Sequence, residues 1–218
     1  MTGLTSSPKL RKAALVVMDL VDPLSTAIVF QYNPEQVTRT LQPQSTSEGA
    51  SDAADFARVR GAPIETLRLD VEIDATDDLA EGDGITQEVG IYPQLAQLEL
   101  LLYPKSTQVA LNTGLVMAGS LEILPPAAPL TFLVWGLKRV VPVRLTEFSV
   151  TEEQHDPSLN PIRAKVSLAL RVLSYNDLPS GGPGYYAFIA HQVAKEGLAA
   201  MRGVISAGSV LSGGVRLI

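Results

Sequence analysis

Polar and apolar residues alternate along most of this chain. In "ETLRLDVEID" the apolar set Leu67, Leu69, Val71 and Ile73 interleaves with Arg68, Asp70, Glu72 and Asp74. That period of two predicts a strand with one buried and one wet face. "PIRAKVSLALRVL" repeats the pattern over a longer run, with Ile162, Ala164, Val166, Leu168, Leu170 and Val172 against Arg163, Lys165, Ser167, Ala169 and Arg171. "VVPVRLTEFSV" starts with Val141, Val143 and Leu145 on one face and then changes phase to Phe148 and Val150. A change of phase predicts a β-bulge near Thr146 and Glu147. Shorter strands are expected around residues 13–21, 26–32, 36–42 and 130–135.

The period changes to that of a helix in two places. In "YPQLAQLELLL" Ile91, Leu95, Leu98 and Leu102 recur at helical spacing, and Pro93 falls in a first turn that tolerates it. In "GYYAFIAHQVAKEGLAAM" Tyr186, Ile189, Val193, Gly197 and Ala200 share one face, with His191, Lys195 and Arg202 roughly opposite. The punctuation "NDLPSGGPG" ahead of that helix reads as a domain edge. Residues 42–63 read as a long polar loop and "LPPAAP" (124–129) as a stiff spacer, while the tail "SAGSVLSGGVRLI" has too weak a pattern to predict more than extended chain.

Composition narrows the function classes. Over 218 residues the chain is 46% hydrophobic and 18% charged, enough to build a core. A formal net charge of -6 opposes phosphate backbones and anionic membranes, so nucleic acid and direct membrane insertion are not expected. The absence of cysteine excludes disulfides, zinc-thiolate sites and thiol nucleophiles, and agrees with a reducing cytoplasm. The apolar run near the start is interrupted by Asp19 and Asp22 and is too short for a signal segment.

Candidate chemistry is sparse. Asp70, Glu72 and Asp74 ahead of "DDLAEGDG" invite a calcium loop, but Ala75 stands where such a loop needs glycine. "GDG" at 82–84 lacks the basic residue and helix start of a phosphate loop. His155 beside Asp156 imitates a catalytic pair with no signposted nucleophile, and reads as a hairpin loop. His191 lies on the basic stripe of the last helix and reads as a surface or interface residue. No enzyme activity, cofactor or metal is expected.

The succession "IVFQYNPEQVTRTL", "PIETLRLDVEID", a helix, "PPAAPLTFLVWG" and "LTEFSVTEEQHDPSLNPIRAKVSLALRVL" resembles the tube-protein family of contractile injection systems, which are phage-tail-like particles. The features that carry the resemblance are Phe30 with Asn33-Pro34, the strand ending near Asp70, Pro126 ahead of Phe132, Trp135-Gly136, the Phe148 strand, and Pro161 with Arg163-Ala164. It spans roughly residues 13–174. The family's Gly-Trp-Pro-like turn stands here as Asn160-Pro161, and the lysin-motif repeat of many relatives is not seen after residue 175.

The resemblance implies a β-barrel-like sandwich with a helix and sixfold rings at the junction of inner tube and baseplate. The expected fold is therefore mainly β: an antiparallel β-barrel or sandwich of the tail-tube type over residues 10–175, one embedded helix, and a C-terminal helical extension over 176–218. The implied partners are further copies in a hexameric ring, the inner tube protein, the spike hub and baseplate proteins. Assembly would be cytoplasmic, with release in the finished particle. A shaft inner-tube subunit and, in a different class, a small-ligand-binding β-barrel are the alternatives. A ring subunit needs two complementary faces. The acidic row Asp70, Glu72, Asp74, the basic row Arg163, Lys165, Arg171, and the helix residues Tyr186, Ile189 and Val193 are the candidate contacts.

Overall fold

A computed structural model describes residues 11–18, 26–44, 61–104, 106–117 and 129–212. Seven strands form one open antiparallel sheet: β1 (Ala14–Met18), β2 (Thr26–Val29), β3 (Val37–Gln42), β4 (Ile64–Asp74), β5 (Leu130–Val134), β6 (Val140–His155) and β7 (Pro161–Val172). Their order is β2-β1-β5-β6-β7-β4-β3. The mainly β expectation holds at this level. Four helices, α1 (Thr76–Glu81), α2 (Gly84–Val89), α3 (Tyr92–Glu99) and α4 (Ser106–Met117), separate β4 from β5, and α5 (Pro183–Ser212) closes the described chain.

The one embedded helix of the sequence reading is thus corrected to a run of four. Only α3 has the length and apolar spacing to announce itself, with Leu95 and Leu98 buried. The six residues of α1 and of α2 are too few for a period to emerge, and a run of acids made α1 look like a loop. The expected extended tail is also corrected in part, since α5 runs on to Ser212. The spacer at 124–128 and most of the 42–63 loop lie outside the described residues.

Alternation sorts the sheet into two faces. Leu67, Leu69, Val71 and Ile73 of β4 pack with Val166, Leu168 and Leu170 of β7, Val141 and Val143 of β6, Leu133 of β5 and Leu15 of β1. β6 and β7 share the longest ladder, with register shifts between Leu145 and Glu147 and again around Glu153. The first is the predicted bulge at Thr146 and Glu147. It restores Phe148 and Val150 to the core side after the change of phase, and both pack against the core.

Both ends of the core are covered. At one, Ile91, Leu95 and Leu98 join the core, and the Ile91 amide donates to the Pro161 carbonyl at the start of β7 (2.9 Å). At the other, Phe188 of α5 joins it beside Ala62. The sheet is curved enough that Gln31, just beyond edge strand β2, reaches the last residue of β4. Its Nε2 donates to the Asp74 carbonyl (2.7 Å), and the Asp74 amide donates to its Oε1 (2.9 Å). A side-chain amide here takes both backbone bonds that a neighbouring strand would take.

Candidate functional site

The two charged rows singled out in the sequence are neighbours on one face. β4 and β7 pair antiparallel with Asp74 opposite Arg163, Glu72 opposite Lys165 and Asp70 opposite Ser167. Arg163 bonds Glu72 and lies 3.7 Å from Asp74 and 3.5 Å from Glu153. Lys165 reaches Glu153 at 2.7 Å. Glu153 gets there because the second β6 bulge turns it toward these cations. Surrounded by carboxylates, Arg163 has its pKa raised, chiefly by Glu72. The Ser167 hydroxyl donates to Asp70 (2.6 Å), and Arg171 pairs with Asp177 (2.9 Å) rather than with an acid of the sheet. The rows therefore meet within the chain.

The residues proposed for a calcium loop diverge to these separate partners. The third, Asp74, accepts from the Thr76 hydroxyl and amide at the start of α1, and these bonds lower its pKa. Among the described residues no group of three or more His, Asp or Glu is placed to hold a metal ion. His155 contacts Glu152 (3.0 Å) rather than forming a pair with Asp156. Asp156 instead organises the β6–β7 hairpin by accepting from the amides of Ser158 and Asn160, and the Asn160 side chain is the main cause of its lowered pKa.

The outer face of β3, β4, β7 and the second half of β6 carries Thr38, Thr66, Ser149, Thr151 and Ser167 among Arg68, Asp70, Glu72, Asp74, Glu147, Glu153, Arg163 and Lys165. A trough of about 340 Å³ runs over it between Thr38, Arg68, Asp70, Glu147 and Ser149. Short hydroxyl and charged side chains make up most of this wall, with Ile64 at the start of β4 as an apolar exception, so it suits water rather than another core.

The helix α5 docks with a different face from the one its periodicity predicts. Gly184 sits against Leu130 and Leu178, Phe188 is buried and meets Tyr175 edge-on at 5.9 Å, and Lys195 reaches the buried Glu65 (3.4 Å). Glu65 is also held by Arg39 (2.8 Å). His191 lies on this docked side, hydrogen-bonded to the Lys138 backbone, with its Nδ1 buried and unpartnered. Burial first, then the Lys195 charge, lowers its pKa. Of the predicted apolar face, Ile189 packs against the core, whereas Tyr186 is 62% and Val193 59% exposed. Gly197 and Ala200 are exposed as well. The sequence reading had put the docked stripe in solvent because it weighed His191 and Lys195 as charges and overlooked Phe188. It also missed α4, where Val109, Leu111, Leu115, Val116 and Met117 are exposed.

No helix among the described residues is long and apolar enough to cross a membrane. No family model matches the chain, and the search of curated proteins returned no match.

Proposed function

We propose that the chain is a structural subunit of a contractile injection system, forming a hexameric ring that joins the inner tube to the spike hub and baseplate. In this reading the curved sheet serves as a β-barrel of the tail-tube type, with Gln31 closing its last seam. Assembly takes place in the cytoplasm and the particle is then released. The subunit catalyses nothing.

The observation that carries the reading is the division of labour along α5. Its first turns complete the subunit's own core through Phe188, and beyond them Val193, Leu198 and Met201 stand at 59%, 49% and 67% exposure. An exposed apolar helix face rimmed by polar residues fits a contact with other subunits. The polar wall of the sheet supports the same reading. Its three bases each contact an acid of the wall, and its five acids leave it polar and net negative, a water-lined surface of the kind a channel presents.

Cryo-electron microscopy of the assembled particle tests this. The expected result is a ring of these chains between tube and baseplate with α5 seated on a neighbour. A chain that stays monomeric and is missing from purified particles would sink the proposal.

A further inference from the structure

Strand β6 outruns its neighbour β5. The ladder between them ends with Thr131 opposite Val143, and from Arg144 onward β6 has β7 alone beside it among the described residues. A cavity of about 620 Å³ lies where the two strands part, lined by Leu130 and Thr131 on one side and by Val143, Arg144 and Leu145 on the other. The turn after β7 and the first turn of α5, through Leu178, Pro179, Gly184 and Tyr185, complete its wall.

Two arginines meet at this cavity. Arg144 of β6 and Arg171 of β7 are directly opposite in register, so their side chains leave the same face of the sheet, and both line the cavity. Like charges at opposed positions repel, and the cavity answers them with one acid. Asp177 pairs with Arg171 (2.9 Å) and also accepts from the amide and the hydroxyl of Ser174 (2.9 Å each). The Arg144 side chain has no ion pair or hydrogen bond among the described residues, and Nε of Arg171 is buried without a hydrogen-bond partner. Two guanidiniums against one carboxylate leave a positive charge and several N–H donors that this chain does not use. The neighbouring Leu130, Leu145, Leu173 and Leu178 have nothing to offer them.

We infer that this cavity binds a small organic anion: a carboxylate or phosphate group held between Arg144 and Arg171, on a short apolar or aromatic body that lies along the leucines. Such a group takes two parallel bonds from the planar Arg144 fork, and its charge cancels the repulsion within the arginine pair. The volume falls within the range of small-molecule sites, roughly 300–1,000 Å³, and apolar walls with a few convergent polar groups are their usual make-up. The charge is set in a concavity between strands and helix rather than spread along an open stripe, which suits a small molecule over an acidic protein. The site goes beyond the ring reading and does not need it, because every lining residue belongs to one chain.

Isothermal titration of the full-length chain with phenylacetate, phenyl phosphate, inorganic phosphate and neutral benzyl alcohol is the test. The two aromatic anions should bind at a single site, each at least about tenfold tighter than inorganic phosphate or benzyl alcohol, and the tighter of the two tells whether the head group is a carboxylate or a phosphate. Arg144→Gln should weaken both by about tenfold or more, and Arg144→Lys, which keeps the charge and loses the fork, should fall between. With no probe present, Arg144→Gln should melt at or above the temperature of the parent because its repulsion with Arg171 is gone, an effect that a purely structural arginine would not give. Benzyl alcohol bound as tightly as the anions, aromatic anions bound unchanged by Arg144→Gln, or an Arg144→Gln chain that melts well below the parent would overturn the inference. So would the absence of saturable binding of either aromatic anion below about 10 mM, or capture of an acidic peptide alone.

Discussion

Replacing Gln31 with Ala removes both bonds to the Asp74 peptide group and leaves a part-buried donor and acceptor exposed to imperfect solvation. The expected loss is about 1–3 kcal/mol, read as a lower denaturant midpoint with an unchanged slope. Gln31→Glu should cost at least as much, since a carboxylate oxygen would then face the Asp74 carbonyl. His191 makes a prediction of opposite flavour, about conditions rather than contacts. Its pKa is lowered in the fold, so the unfolded chain binds the proton more readily and stability falls as pH drops below the ordinary histidine value of about 6.5. The groups facing the ring are Lys195 on its own helix, Glu65 on β4 and Arg139 on the β5–β6 turn. The Lys138 backbone bond and Glu65 favour the added charge, but Glu65 is already held by two cations, and burial and Lys195 outweigh them. Protection factors of residues 183–196, with exchange rates corrected for the intrinsic pH dependence of amide exchange, should fall between pH 7 and pH 5.5, and His191→Gln should flatten that dependence.

Elements differ in how firmly they are tied down. Phe188→Ala removes the ring that seats α5 and should cost about 3 kcal/mol, freeing the helix in hydrogen exchange while the β6–β7 ladder stays protected. Tyr186→Ser with Val193→Ser, on the exposed side, should leave the isolated chain within about 0.5 kcal/mol of the parent and, on the ring reading proposed above, prevent its incorporation into particles. Gly90 holds the α2–α3 corner at φ +60°, where an added Cβ would lie 2.2 Å from the Pro161 carbonyl oxygen. Gly90→Ala should therefore cost more than about 2 kcal/mol by urea unfolding. These elements were legible to very different degrees. The long strands could be read because every second side chain of β4 and β7 is sealed inside, a signal that eleven and twelve residues repeat. Pairing was not legible. Nothing local says that β7 lies between β4 and β6, and for that reason two opposite rows that neutralise each other looked like two free surfaces. The docked face of α5 was hidden by residues with two natures: His191 and Lys195 are polar by composition, yet their stems lie along the sheet.

At the scale of the molecule, the two ends should respond to acid at different pH. Asp74, Asp83 and Asp156 all have lowered pKa values through bonds from Thr76, Thr86 and Asn160, and all lie toward the end carrying α1, α2 and the β6–β7 hairpin. Depressed carboxylates contribute stability that is complete above their ordinary value of 3.8 and is lost as pH falls through the folded values. Peptide-resolved hydrogen exchange should show α5 loosening first, below about pH 6.5, and the α1–α2 end only in much stronger acid. Simultaneous release of both ends would contradict this assignment. The seam at Gln31 has one further consequence. A sheet closed all round by backbone ladders is a hoop of fixed girth, whereas a closure made by one side chain can part and re-form without breaking a ladder. If the sheet closes as proposed, the subunit has a compliant line at Gln31, and in the proposed ring such subunits would change bore by splaying there while every strand keeps its register.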